Sequence, residues 1–263
     1  MVYDILNKHY SNYNEDARLR SRHGMVEFLT TVKYIEKYLR PDSRIIEIGA
    51  GTGRYSHYFA QNGYRVDAVE LLEHNIEIFK QNTKPNENIT VTQGNALYLS
   101  EFEDAVYDIV LLLGPMYHLY TDDDRRKAIS EAMRIAKNDG VIFVAYCGNE
   151  ATMMQECFKY KLVTDPHFSK LMDETFKCSS NPEDLFVLFR KSEIDKMMES
   201  LDVQRLHFVG TDMYTHYVKD QIYEMDDEIY EIYLKYHFAI CEREDLVGIS
   251  NHFLDIFRKK ERT

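Results

Sequence analysis

The sequence predicts an α/β protein: a Rossmann-like, doubly wound, seven-stranded and mostly parallel sheet, with a helical cap built from insertions. Three observations carry the prediction. Short apolar runs alternate with amphipathic stretches from about residue 25 to residue 147. A glycine-rich turn, Gly49-Ala50-Gly51-Thr52-Gly53, directly follows the first apolar run. The second run ends on an acid, Glu70, 21 positions after Gly49.

In chain order, residues 25–39 place Phe28, Leu29, Val32, Ile35 and Leu39 on one helical stripe, which Pro41 and Asp42 end. The period then changes. SRIIEIG reads as a buried strand, RYSHYFAQNG as a helix closed by Gly63, and YRVDAVE as a strand. LLEHNIEIFKQN is a helix; NITVTQG and VYDIVLLLG are strands. DDDRRKAISEAMRIAK is a helix with Ile129, Met133 and Ala136 inward, and Thr121 with Asp124 resembles a capping box at its start. GVIFVAY is a further strand. After Tyr146 the rhythm breaks. Residues 148–190 read as an irregular helical insertion, KSEIDKMMESL as a helix and VQRLHFVG as a strand. Residues 223–243 form a helix with Ile229, Ile232, Tyr233, Tyr236 and Ile240 on one stripe, and NHFLDIFRK is a last strand. The organisation is N-terminal helices and a nucleotide-type core over residues 1–147, a cap insertion at 148–190, and the end of the core over 191–263 with a second insertion at about 212–248. Such insertions lie over the carboxyl ends of the strands, where open α/β sheets bind ligands.

Composition narrows the function. The 263 residues carry a formal net charge of -12, which disfavours a grip on long nucleic acid. No apolar run approaches a membrane span, and the charged N-terminus does not resemble a secretory signal. Cys147, Cys157, Cys178 and Cys241 show no metal-like spacing, so reduced thiols, a cytoplasmic location and no metal are expected. The 20 tyrosines, against no tryptophan, suit half-wet walls of a cavity.

A glycine turn between strand and helix lets a ligand approach the backbone. The dinucleotide fingerprint is G-x-G-x-x-G, whereas here the pattern is G-x-G-x-G, and Arg54 stands where the third dinucleotide glycine would fall. Glu70 can accept both hydroxyls of a ribose, which fits either a dinucleotide or another nucleoside ligand. A nicotinamide-dependent oxidoreductase is thus one alternative.

EIGAGTGRYS, VDAVE, QGNA and YDIVLLLGPMYHL, in that order, resemble the successive motifs of class I S-adenosylmethionine-dependent methyltransferases, over about residues 25–147. The resemblance implies methyl transfer from S-adenosylmethionine to a small-molecule acceptor; a non-catalytic cofactor-binding protein is the other alternative. It implies that Glu47, Gly49, Ala50, Gly51 and Gly53 hold the methionine end and Glu70 the ribose. Asn95 replaces the family's usual Asp beside adenine, Leu71 and Ala96 flank the ring, and Leu113 and Gly114 lie near the methionine portion. A sulfonium cation suits an acidic pocket with tyrosine π-faces.

Methyl transfer needs alignment and exclusion of water, and a base only where the acceptor loses a proton. His118 and Tyr117, in GPMYHLY, are the catalytic candidates. That loop lacks the Asp/Asn-Pro-Pro-aromatic signature associated with methylation of nucleobase amino groups. The stretch HYSNYNEDARLRSRH folds back as a lid that brings Tyr10 and His23 to the acceptor, where Tyr146, Tyr233 and His237 are the further candidates.

Overall fold

Residue alternation in the first strand, β1 (Arg44–Ile48), sends Ile46 and Ile48 to one face of a sheet and Ile45 and Glu47 to the other. All three isoleucines are fully buried, worth about 1.5–3 kcal/mol each. The structure is a computed structural model and describes residues 2–13 and 15–260. The remaining strands are β2 (Arg65–Glu70), β3 (Ile89–Gln93), β4 (Tyr107–Leu112), β5 (Ala136–Gly148), β6 (Leu188–Phe189), β7 (Val203–Gly210) and β8 (His252–Lys259). Their order is β3-β2-β1-β4-β5-β8-β7. Those seven strands match the expectation, and the two-residue β6 pairs with β5 off this path. Strands β1 to β5 run parallel, while β8 is antiparallel to both β5 and β7. The order reverses between β1 and β4, so the crevice that receives a ligand opens at their carboxyl ends.

Three helices, α1 (Val2–Tyr10), α2 (Glu15–Arg20) and α3 (Gly24–Glu36), precede the sheet. Next come α4 (Arg54–Gln61), α5 (Glu73–Asn82) and α6 (Asp122–Ile135) as crossover connections. The short α7 (Asn149–Thr152) and α8 (Phe168–Leu171) belong to the first insertion, and α9 (Lys191–Glu199) leads into β7. The second insertion contains α10 (Lys219–Glu224) and α11 (Asp227–Ile240). One core layer joins the sheet to α6 and α9 through Ile129, Ala132, Ile194 and Met197. The opposite layer joins it to α3 and α4 through Phe28, Val32, Ile35, Tyr55 and Phe59. At the start of α6, Thr121 Oγ1 accepts from the Asp124 N–H at 3.1 Å and donates to the Asp124 carboxylate at 2.7 Å. The cap therefore closes on Thr121 itself. Among the described residues no helix is long and apolar enough to cross a membrane.

Two expectations are corrected by the packing. Tyr146 does not face the acceptor: it is fully buried in the α6/α9 core layer, edge-on to Phe189, because the strand alternation gives the cavity face to Ala145. On α11 the expected stripe splits: Ile229, Ile232 and Tyr236 are each at least half exposed, while Ile240 is buried in the core and Tyr233 turns inward. The inward face is built largely of hydrogen-bonding rings. The Tyr230 hydroxyl donates to Arg22 O, Tyr233 pairs with Thr215, and His237 pairs with Thr30. Each pairing satisfies a polar group that burial would otherwise leave at a cost.

Candidate functional site

The glycine turn is shaped by what would collide with a side chain. Gly49 has φ +74°, and a Cβ there would lie 2.6 Å from the Pro115 ring, so the turn nestles against the end of β4. Gly53 has φ +89°, and its Cβ would lie 2.5 Å from the Phe79 ring, so this glycine lets α4 pack on α5. A Cβ on Gly51 would meet nothing within 4 Å. Arg54, where a dinucleotide fold has its third glycine, lays its guanidinium 4.2 Å from the Phe28 ring centroid and ties α4 to α3.

Two acids stand beside the turn. Glu47 is buried and accepts from the Ser56 N–H at 2.9 Å and from the Ser56 hydroxyl. Burial pushes its carboxyl up to about 8 in spite of these bonds, and among the described residues no cation pairs with it. Glu70 is held in one orientation by the Gly51 N–H at 2.8 Å, the Leu72 N–H at 2.9 Å and the Asn75 amide at 3.1 Å. Burial raises its carboxyl as well. Asn95 accepts from the Leu97 N–H at 2.9 Å through its side-chain oxygen, so its NH2 group is what it can offer a ligand.

These groups border one cavity of about 740 Å³. Of the residues expected around the cofactor, Glu47, Gly49, Ala50, Gly51, Glu70, Leu71, Asn95, Ala96, Leu113 and Gly114 line it, whereas Gly53 does not. The cavity continues past Pro115 to Tyr117, His118, Tyr10, Arg18, Glu27, Thr211 and His252.

Tyr117 and His118 both line this second end, and their chemistry differs from a simple base. Burial raises the Tyr117 phenol well above its ordinary value, so it stays protonated. The His118 Nδ1–H donates to Leu185 O at 2.9 Å, which leaves Nε2 to accept from the Tyr10 hydroxyl at 2.8 Å. Burial lowers His118 to about 4, so it is a neutral ring with both nitrogens engaged. Tyr10 thereby fastens α1 over the cavity, as expected of a lid.

The roof is the N-terminal segment, with Leu6, Tyr10, Tyr13, Arg18 and Leu19 among its lining residues. Residues 149–210 contribute none, and the first insertion supports the site from behind through Leu185. His23, Tyr233 and His237 also lie outside the lining. His23 contacts the Ser21 and Tyr223 hydroxyls, and burial lowers it to about 4. Burial likewise lowers His237 to about 4, and it braces α11 against α3.

Sequence reasoning passed over Arg18, Glu27 and Asp212, and weighed His252 only with His237, Cys241 and Glu242 as a metal cluster, set aside for its irregular spacing. Arg18 clasps Glu27 with two bonds of 2.6 and 3.0 Å. Burial opposes a charge on Glu27, yet Arg18 and His252 hold its carboxyl below the ordinary value. Burial would likewise lower His252, but the Glu27 and Asp212 carboxylates hold it well above 6.5. The available signal was Glu27 with Thr31 one turn later, a polar pair on the buried face of α3.

A family model described as "Methyltransferase domain" matches residues 46–144. A glycine/sarcosine N-methyltransferase of Aphanothece halophytica is 25% identical over 120 residues, which are 45% of this chain and 45% of that protein. The chain thus matches less than half the length of the first curated relatives. Among solved structures, a protein of Pyrococcus horikoshii OT3 superposes with a TM-score of 0.62 at 14% identity, covering 96% of this chain and 99% of that one. A Thermotoga maritima S-adenosylmethionine-dependent methyltransferase, described as a possible histamine N-methyltransferase, superposes at 0.58 and 19% identity, covering 99% and 100%. The matched segment carries the glycine turn, both acids and the end of β4, so the cofactor end of the cavity lies within the part of the chain that is similar to a methyltransferase domain.

Proposed function

We propose that this chain transfers a methyl group from S-adenosylmethionine to a small-molecule acceptor seated between α1–α3 and the ends of β4, β5 and β8. One observation carries the reading: a single cavity runs from the glycine turn and Glu70 to Tyr117, Glu27 and His252. The donor end fits a cation, because Glu47 is a buried carboxyl without a cationic partner among the described residues. It fits a ligand pressed on the backbone, because the Cβ side of Gly51 is open. Arg54 in place of a third glycine disfavours the dinucleotide alternative.

S-adenosylmethionine, when bound, supplies an electrophilic methyl group on a sulfonium cation. Glu47 and the turn of residues 49–52 would hold its methionine end, Glu70 its ribose, and Leu71, Asn95 and Ala96 its adenine. The chain's own contribution is alignment and exclusion of water under the α1 lid. Tyr117 remains a neutral donor. Glu27, kept ionised by Arg18, is the group able to accept an N–H or O–H of the acceptor. An amine-bearing acceptor is supported by that carboxylate and by the relative named for glycine and sarcosine. The net charge of -12 supports a small acceptor over nucleic acid, and four free, buried thiols support a reducing, cytoplasmic setting.

Mass spectrometry after incubation with S-adenosylmethionine and a panel of small amines tests this. A one-methyl mass gain on an acceptor is expected, falling on the order of 10²-fold in kcat/KM for Glu27→Gln. Cofactor binding with no methylated acceptor across amines and hydroxyl compounds would favour the non-catalytic alternative.

A further inference from the structure

Asp212, His216 and His252 lie outside the cofactor cradle, and the methyl-transfer reading does not require them. The antiparallel register brings them together. Gly210 pairs with Phe253, so the turn leaving β7 faces the residue that opens β8. That turn carries Asp212 and, four residues later, His216. Asp212 Oδ2 lies 2.7 Å from His252 Nδ1 and 3.2 Å from His216 Nε2. One ligand atom from each of the three residues falls within 4.8 Å of the others.

The other carboxylate oxygen is already committed. Asp212 Oδ1 accepts from the Ser250 hydroxyl at 2.7 Å, the Asn251 N–H at 2.9 Å and the His252 N–H at 3.0 Å. The carboxylate is therefore clamped by one oxygen and presents the other to the same point as two imidazole nitrogens. In the absence of an ion, both facing nitrogens must carry a proton to share one acceptor oxygen.

We propose that Asp212, His216 and His252 bind a divalent transition-metal ion of the zinc class at the acceptor end of the cavity. One carboxylate and two imidazoles suit that class. Bonds of about 2.0–2.1 Å in a tetrahedron separate ligand atoms by roughly 3.3 Å, within reach of the spacing described. On binding, each ring ligates as a neutral imidazole: an imidazolium loses its facing proton to solvent, a neutral ring carries its one proton on the other nitrogen, and the freed lone pair goes to the ion, which the Asp212 carboxylate helps neutralise. Ser250 clamps the carboxylate, as outer partners of metal ligands do. Three protein ligands leave a position open. Of the three ligands His252 lines the cavity, as does Thr211 beside Asp212, so the site borders the acceptor end. If the methyl-transfer reading holds, an oxygen of the acceptor takes the open position.

Equilibrium dialysis of the metal-stripped full chain against Zn²⁺ and Co²⁺ tests the site. The expected result is one tightly held ion per chain, with the visible absorption of a four- or five-coordinate Co²⁺ site. His216→Ala and Asp212→Asn should each weaken the ion by at least about tenfold, and Ser250→Ala by about tenfold. Binding of S-adenosylhomocysteine, measured separately, should survive in His216→Ala and report an intact fold. Where a variant fails to fold, X-ray absorption on the wild-type zinc form decides, two imidazole scatterers being expected. The proposal is overturned if wild type holds no ion more tightly than His216→Ala, or if the bound zinc shows no imidazole ligands. Metal binding without homocysteine-product binding would instead overturn the cofactor reading and leave the metal site standing.

Discussion

Glu47 is a buried carboxyl with no cation beside it among the described residues, and its titration belongs to the cofactor. Burial has pushed it up to about 8, so it is mostly protonated at neutral pH in the free chain. A ligand that brings a cationic amino group favours the ionised form and lowers that value. Affinity for S-adenosylhomocysteine should therefore rise with pH up to about 8 and then level off. Calorimetry at pH 7 in buffers of different ionisation enthalpy should register about one proton released. Glu47→Gln should abolish the release, and a wild type that releases none would refute the assignment. Glu70→Ala should weaken the same ligand on the order of 10- to 100-fold, by loss of the ribose acceptor; tenfold corresponds to about 1.4 kcal/mol. These acids were legible because each sits at a fixed offset from the glycine turn. Arg18 and Glu27 were not, since no repeat or motif spacing marks a pair nine residues apart on successive helices, and His252 meets Glu27 only when β8 folds against α3.

At the scale of elements, α4 and α1 each have one contact that a single substitution tests. Gly53→Ala places a Cβ into the Phe79 and His57 rings at a backbone angle that side chains avoid. It should cost about 2–3 kcal/mol, read as a lower midpoint in denaturant; an unchanged midpoint would show that α4 does not need this glycine. The α1 lid depends on Tyr10 donating to His118. Tyr10→Phe should cost about 1 kcal/mol and speed hydrogen exchange in residues 2–13, with α3 unaffected. His118 is lowered in the folded chain from 6.5 to about 4. The unfolded chain therefore binds its proton first as pH falls. The stability contribution is complete above about 6.5 and is lost down to about 4, at which point the Tyr10 bond breaks too. Wild type should lose thermal stability over that window, and His118→Gln should lose less. The outward stripe of α11 shows where periodicity misleads. It identifies a helix from Ile229, Ile232 and Tyr236, but it cannot tell that tyrosine hydroxyls and an imidazole have partners on the opposite face.

For the whole molecule, the change from period 3.6 to period 2 at residue 43, and the order of the strand motifs, made the sheet legible before any packing was seen. The reversal of strand order between β1 and β4 places the glycine turn, Glu70 and the end of β4 around one crevice. What covers the crevice was not legible. An insertion and an N-terminal extension are equivalent in sequence, and contacts such as Tyr10 on His118 and Arg18 on Glu27 assign the roof to α1 and α2. The central claim is that the cavity holds S-adenosylmethionine and not a dinucleotide. Its most direct test is calorimetric titration of the purified chain with S-adenosylhomocysteine and, in parallel, with NAD. Saturable one-to-one binding of S-adenosylhomocysteine, weakened by Glu70→Ala, with no heat from NAD, is the predicted result. Saturable binding of NAD with none of S-adenosylhomocysteine would contradict it.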